Sequence, residues 1–326
     1  MVFRLSMLLL STDSRMDKNK KNFEEISCDL CGSDKYSIVY GAEYEKEKDP
    51  ELVDKFRASG DELLIDQLVK CSRCGLIYIN PRIKSDLIVG GYSEGSDETF
   101  VSQADARELT FHGSIKEIEK YSQTNGKILD VGTAAGSFLA AAKKRGWEVY
   151  GCEPNKWLVE WGNKRYGLSL KSGTLFDQKY EEGFFDVVSL WDVIEHTPNP
   201  SEVLRECNKI IRTGGILVIN YPDIDSLVSR AMGRKWLFLN SVHLYYFTKR
   251  TMTEMLKKQN FEVIKIKPYF QKLEMGYLFF RGESVSKIIG KTGGTIAKAL
   301  KMEKRLVPYW LGQTFVVARK KSGVGK

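Results

Sequence analysis

Short apolar runs separated by longer polar stretches dominate the chain from residue 127 onward. The clearest are KILDV (127–131), WEVYGCE (147–153), FFDVVSLW (184–191), ILVIN (216–220), NFEVIKIKPYF (260–270) and GQTFVVARKK (312–321). Runs of this length, rich in Val, Ile and Phe and bounded by turn residues, read as strands of a buried, mostly parallel sheet. They predict strands near 127–131, 147–152, 168–172, 184–191, 214–220, 261–268 and 312–320, with helices between them. Upstream, residues 98–122 read as a helix, because Leu109, Ile115, Ile118 and Tyr121 keep part of a 3.6-residue period. A further helix is expected after the fourth strand, with Ser201 as its cap and Glu202 in its first turn.

Two long segments interrupt this core. Residues 223–248 follow the fifth strand, where a loop lies over the carboxyl ends of the strands and hence over the ligand crevice of an open α/β sheet. Residues 271–312 separate the last two strands. There Val285, Ile288, Ile289, Ile296 and Leu300 fall near helical spacing, and Gly293-Gly294 is expected to break the helix. The segment reads as a lid over the core, with peripheral membrane contact through 271–312 as the alternative.

The candidate chemistry starts at DVGTAAGSF (130–138), between the first two strands. Glycines let the backbone approach a ligand, and the following helix offers free N–H groups. A dinucleotide site would show G-x-G-x-x-G, but the matching positions here are Gly132, Ala134 and Ser137. Asp130 ends the first strand two residues before Gly132, and its carboxylate would repel a pyrophosphate. Glu153, 21 residues after Gly132, ends the second strand where an acid takes ribose hydroxyls. A nucleoside carrying positive charge fits this turn better than NAD does, and S-adenosylmethionine has both a sulfonium and an ammonium. The candidate cofactor residues are therefore Asp130, Gly132, Ala134, Gly136 and Glu153.

Three more segments extend the pattern: FFDVVSLWDVIEHTPNPSEVLREC (184–207), RTGGILVINYPD (212–223), and the late pair of strands. With the acidic glycine turn, this order resembles the class I S-adenosylmethionine-dependent methyltransferases over roughly Lys127–Lys321. The resemblance implies a Rossmann-like seven-stranded sheet with a terminal antiparallel hairpin. It also implies that Trp191 and Asp192 lie beside the methionine part of the cofactor, with Asp192 placed to meet its ammonium. Ala134 departs from the family, where glycine is common. Alanine is tolerated there if its φ is negative.

Composition limits the rest. The 326 residues suffice for one large domain or two ordinary ones. No apolar run reaches spanning length, and the stretch at Leu5–Leu10 is short for a signal segment. Residues 1–22 are expected to be a loose tail, with Met16 as a possible initiator and the cytoplasm as the location. The net charge of +8 is local: residues 261–326 hold 14 Lys and Arg against 4 Asp and Glu. Such a patch suits an anionic substrate, a membrane surface or RNA, and more simply a solvated face.

Four of the six cysteines form two C-x2-C pairs, Cys28/Cys31 and Cys71/Cys74, each followed by glycine. Four soft ligands suit one tetrahedral structural zinc. Disulfides would suit a secreted chain instead. The 39 residues between the pairs imply an inserted hairpin at 43–65, and the module is expected over 23–95, with the methyltransferase domain at 96–326. CDLCGS…KCSRCGLIYINPR resembles the zinc-binding, zinc-ribbon-like module of one methyltransferase group, which includes enzymes of sugar, glycan and secondary-metabolite pathways. Cys152 and Cys207 read as core residues.

Methyl transfer to oxygen needs a proton acceptor. Of the three histidines, His196 in DVIEH and His243 in HLYYF fall by motif at the mouth of the site, whereas His112 lies in the preceding helix. An imidazole titrating near working pH suits the task, so His196 and His243 are the candidate bases. Asp192 and Glu195 are expected to stay ionised and to be weaker bases. The expected acceptor is a small molecule or a glycan- or lipid-linked compound. The alternatives are an RNA methyltransferase, which the WDVIEH strand end and the lack of an RNA-binding module disfavour, and a non-catalytic cofactor-binding scaffold.

Overall fold

The computed structural model of the protein describes residues 23–43, 64–84, 93, 95–122, 125–283 and 286–322. The expected tail at 1–22, most of the insertion at 43–65, and Val285 lie outside the described residues. Five short strands come first: β1 (Phe23–Glu24), β2 (Tyr36–Tyr40), β3 (Leu68–Cys71), β4 (Ile77–Ile79) and β5 (Arg82–Ile83). Then follow α1 (Ala104–Ile118), β6 (Lys127–Val131), α2 (Ser137–Lys143), β7 (Glu148–Glu153), α3 (Lys156–Tyr166), β8 (Lys171–Ser172), β9 (Phe185–Trp191), α4 (Pro200–Ile210) and β10 (Ile211–Pro222). The chain continues through β11 (Tyr245–Tyr246), α5 (Lys249–Lys258), β12 (Phe261–Pro268), β13 (Gln271–Glu274), α6 (Met275–Gly282), α7 (Lys287–Ala299), β14 (Leu306–Tyr309) and β15 (Gln313–Lys320).

Seven strands form the main sheet in the order β12-β15-β10-β9-β6-β7-β8. The five from β10 to β8 are parallel, while β15 runs antiparallel between β10 and β12. This is the expected Rossmann-like sheet with its terminal antiparallel pair. The central strands are apolar throughout because both faces are covered. On one face, Ile115, Ile118, Phe138, Trp147, Val187 and Phe315 form a single cluster. On the other, Leu190, Leu204, Cys207, Met255 and Val316 pack in one cluster with Cys28, Leu30 and Tyr78 of the cysteine-bearing segment. That segment therefore shares a core with the sheet. Each fully buried Leu in it contributes about 1.5–3 kcal/mol. Cys152 and Cys207 are buried in the core, in keeping with their apolar sequence contexts.

A second sheet has the order β11-β4-β3-β2. Its last member comes from the 223–248 segment, since Tyr245 pairs with Tyr78 and Tyr246 with Ile77. The buried Arg82 adds a polar tie, donating to the Pro198 carbonyl at 2.7 Å and to the Tyr245 hydroxyl at 3.2 Å.

Three local expectations need correction. Leu109 is 51% exposed, while Ala106, Ser114, Ile115 and Ile118 form the buried stripe of α1. Ser201 does not cap α4: the N-cap is Asn199, and Ser201 lies inside the helix. Nor does Gly293-Gly294 break α7, which runs through both residues. A Cβ on Gly293 would come within 2.2 Å of the Phe279 ring, so glycine here lets two helices approach closely. Among the described residues, no helix is long and apolar enough to cross a membrane.

Candidate active site

The carboxyl ends of β6, β7, β9 and β10 open into a cavity of about 660 Å³. Asp130, Gly132, Ala134, Glu153, Trp191, Asp192, His196 and His243 all line it. Gly136 does not line it and instead starts α2 as its N-cap. Both insertions contribute to the wall, 223–248 through Phe238 and Asn240 and 271–312 through Tyr277 and Arg281.

The glycine turn is built by close approach. Gly132 has φ +64°, and a Cβ there would meet Val193 at 2.8 Å. Gly136 has φ +80° and sits against Leu168. Ala134 also lies in the left-handed region, at φ 49°, against the negative φ expected of an alanine. Its backbone N–H donates to Glu153 Oε2 at 2.9 Å, and Asn155 N–H donates to Glu153 Oε1 at 2.8 Å. The acid at the end of β7 thus clasps the turn at the end of β6.

Asp130 is buried and accepts a hydrogen bond from Ser189 Oγ at 2.6 Å. Burial pushes its pKa up to about 7, and the neighbouring Glu153 charge adds to the rise. Asp192 has φ 53°, a conformation that is uncommon for a side-chain-bearing residue and characteristic of functional strand ends. Asn220 Nδ2 donates to its Oδ1 at 2.6 Å. Burial raises the Asp192 carboxyl to about 6, while Arg107 and Gln271 oppose the rise. Trp191 stacks among Phe111, Phe138, Tyr269 and Phe315.

His196 and His243 lie side by side in the cavity wall, and their titration differs from expectation. Their rings lie edge to face with centroids 4.6 Å apart. His196 Nδ1 bonds the Val242 carbonyl at 2.9 Å, and His243 Nδ1 bonds the Phe238 carbonyl at 2.7 Å. A carbonyl only accepts, so each Nδ1 carries the hydrogen and each Nε2 keeps its lone pair. Burial lowers the His196 pKa to about 4 and that of His243 well below the usual range, with the His196 charge opposing it further. Both imidazoles are therefore neutral at working pH and weaker proton acceptors than the sequence alone suggests. Glu195 departs in the other direction. It is 1% exposed, burial and the like charge of Asp192 raise its pKa well above normal, and neither carboxyl oxygen has a hydrogen-bond partner. His112 lies outside the cavity beside Glu108.

Sequence reading missed Arg107, Asn220, Tyr269 and Gln271, all of which line the cavity. Arg107 comes from α1, Asn220 from β10, Tyr269 from just after β12 and Gln271 from β13; Asn220 and Tyr269 fall in segments read only as strands, and nothing in the sequence marks the other two. Only the position of the insertion pointed to that wall.

The four paired cysteines converge across 40 to 46 residues of sequence, with Cys28 Sγ 3.4 Å from Cys74 Sγ and Cys31 Sγ 3.5 Å from Cys71 Sγ. A disulfide needs about 2.05 Å. A tetrahedral zinc at about 2.3 Å from each sulfur sets sulfur separations of roughly 3.8 Å, which this cluster approaches. Backbone N–H groups of Leu30 and Cys31 point at Cys28, and those of Arg73 and Cys74 point at Cys71. Gly32 (φ +71°) and Gly75 (φ +77°) complete the two turns. The donor set fits zinc.

Comparison with known proteins places this architecture. Residues 104–266, half of the chain, match the model of a methyltransferase domain family. The chain belongs to that family, the S-adenosylmethionine-dependent methyltransferases. A ubiquinone biosynthesis O-methyltransferase of Pseudomonas aeruginosa is 30% identical over 110 residues, which cover 30% of this chain and 44% of that protein. The match thus spans less than half of the relative. A chain in the complex between the Trm112 methyltransferase activator and a methyltransferase of Haloferax volcanii superposes with a TM-score of 0.51 at 13% identity. It covers 70% of this chain and 97% of its own, and shows the shared fold. A SAM-dependent methyltransferase from Archaeoglobus fulgidus superposes with a TM-score of 0.48 at 17% identity, covering 69% of this chain and all of its own.

Proposed function

We propose that the protein transfers the methyl group of S-adenosylmethionine to an oxygen of a small-molecule, glycan-linked or lipid-linked acceptor. The observation that carries this reading is the pair of buried carboxylates, Asp130 and Glu153, on either side of the glycine turn. A dinucleotide's pyrophosphate in that turn would meet Asp130, while Glu153 suits a ribose. A cationic nucleoside gains from them, since a charge drawn out of water needs an opposite partner.

When bound, S-adenosylmethionine supplies an electrophilic methyl carbon whose bond to sulfur breaks as an acceptor oxygen bonds to it, leaving a neutral thioether. Asp130, Gly132 and Ala134 cradle the nucleoside in this reading, Glu153 takes the ribose, and Trp191 and Asp192 hold the methionine end. The buried aromatic wall around Trp191 excludes water, which strengthens every charge interaction inside. The acceptor hydroxyl faces the His196–His243 pair, and its proton leaves toward a bare Nε2. Arg107 and Arg281 line the same cavity and suit an acidic group on the acceptor. Phe280, Ile288, Ile296 and Leu300 are exposed on α6, α7 and the turn that follows, a surface suited to peripheral contact with a lipid carrying such an acceptor. We also propose one structural zinc on Cys28, Cys31, Cys71 and Cys74.

Calorimetry tests the cofactor, and transfer of labelled methyl into fractionated cell extract identifies the acceptor. S-adenosylhomocysteine is expected to bind more tightly than NAD, and the reverse order would overturn the reading. His196→Ala or His243→Ala should lower turnover by roughly 10²–10⁴-fold, with cofactor affinity retained, and near-normal turnover in both would overturn the histidine base.

A further inference from the structure

Glu195, His196 and His243 meet behind the mouth of the cavity, and one donor atom from each lies within 4.8 Å of the others. Three features of this cluster call for a positive ion. First, both imidazoles donate Nδ1–H to backbone carbonyls, Val242 for His196 and Phe238 for His243. Metal-bound histidines are commonly held in this way, with the second nitrogen fixed in tautomer and direction for the ion. Second, Glu195 is 1% exposed, and both of its oxygens lack a partner. A buried carboxylate without hydrogen bonds or an opposite charge is costly. The nearby charged group that acts on it is Asp192, of the same sign. Third, the backbone locks the three residues together: the Leu244 N–H donates to the Glu195 carbonyl at 2.8 Å, which ties the 223–248 segment to the end of β9.

We propose that Glu195, His196 and His243 form a binding site for one divalent first-row transition cation at the acceptor end of the cavity. Two imidazole nitrogens and one carboxylate leave coordination positions open on the cavity side, the pattern of a catalytic rather than a structural site. The site is separate from the four-cysteine cluster, whose soft thiolates select a different kind of ion and leave no position open. This rests on the oxygen-methylation reading given above and replaces the histidines' role as proton acceptors, since the Nε2 lone pairs then hold the ion. An ion held by them lowers the pKa of an acceptor hydroxyl, so that its proton passes to solvent water before the alkoxide attacks the methyl carbon.

The test uses the full-length protein with its cysteine cluster loaded with zinc, titrated with Mn2+ while free Mn2+ is followed by electron paramagnetic resonance. Manganese prefers oxygen and nitrogen donors and does not compete for the thiolates. One saturable Mn2+ per chain is expected, with Glu195→Gln and His243→Ala each weakening it at least tenfold. Glu195→Gln keeps the volume and replaces a buried carboxyl whose oxygens have no partner, so the metal-free variant should melt within a few degrees of the wild-type temperature. Mn2+ should raise the melting temperature of the wild type and leave that of Glu195→Gln unchanged. No saturable Mn2+ in the wild type, or equal binding by Glu195→Gln, would overturn the proposal. If Mn2+ binds as expected but no hydroxyl acceptor is methylated, the cation site stands and the oxygen-methylation reading falls. If methyl transfer requires His196 yet Mn2+ does not bind, the reading stands and the cation site falls.

Discussion

The Asp29 carboxylate accepts both hydrogen bonds that Ser201 offers, from its backbone N–H at 2.8 Å and from its hydroxyl at 2.6 Å. Asp29 sits between the first two cysteines, and Ser201 lies in the first turn of α4, 172 residues later. The cysteine module therefore supplies the cap that α4 lacks from its own Asn199. An acid here also meets the positive end of the helix dipole.

Asp29→Ala should cost about 1–2 kcal/mol, the usual loss for removing a capping side chain. The denaturant midpoint should fall with an unchanged slope, since the surface exposed on unfolding stays the same. Asp29→Asn keeps an acceptor oxygen and should recover part of the loss. An unchanged midpoint in Asp29→Ala would show that α4 gains nothing from the module.

Ala134 holds φ 49° in the glycine turn after β6. Left-handed backbone costs a side-chain-bearing residue about 1–2 kcal/mol, while glycine adds about 0.4–1 kcal/mol of unfolded-state entropy. Ala134→Gly should therefore change stability by between zero and about 1.6 kcal/mol in the favourable direction. Equilibrium unfolding checks this, and a clear destabilisation would mean that the methyl group makes a packing contact worth more than the strain.

The strands were legible because burial on both faces turns them into local apolar runs, and all seven strands of the main sheet fall where those runs predict. The glycine turn, the acid of β7 and the cysteine pairs were legible because each needs particular residue types at short spacing. What failed was non-local. Gly293 reads as a break until Phe279 is seen against it. Ser201 reads as a cap until Asp29 is seen to supply the acceptor. The low proton affinity of His196 comes from burial under the 223–248 segment, and the neighbours that bury it are distant in sequence. Asn220 and Gln271 entered the site by register and insertion geometry, which no single-sequence pattern encodes.

Asp130 gives the cofactor site a pH dependence of known sign. Its folded pKa of about 7 lies above the ordinary 3.8. In the unliganded protein, its contribution to stability is present below pH 3.8 and is lost as pH rises through about 7. A cationic ligand favours the ionised carboxylate, so binding below pH 7 must release a proton. Affinity for S-adenosylmethionine should rise from pH 5 to about 7 and then level off. Calorimetry in buffers of different ionisation heat measures the released proton, and Asp130→Asn should abolish both the slope and the release. A flat affinity profile in the wild type would remove Asp130 from contact with the cofactor's charge.

Glu153 carries two duties that one substitution can separate. Its Oε1 accepts the Asn155 N–H and its Oε2 accepts the Ala134 N–H. Glu153 also lines the cavity. Glutamine keeps the length but has one oxygen and one NH2 group, so one backbone N–H must then face another donor. Hydrogen bonds to a charged group are worth about 1.5–3 kcal/mol each, and Glu153→Gln should lower the stability of the unliganded protein by about that amount. The loosened turn no longer holds Ala134 left-handed, so cofactor affinity should fall as well, by on the order of 1–3 kcal/mol. Unfolding curves without ligand and calorimetry with S-adenosylhomocysteine measure the two losses independently. If affinity falls while unliganded stability is unchanged, Glu153 serves the ribose alone. If stability falls and affinity is kept, its work is to clasp the turn.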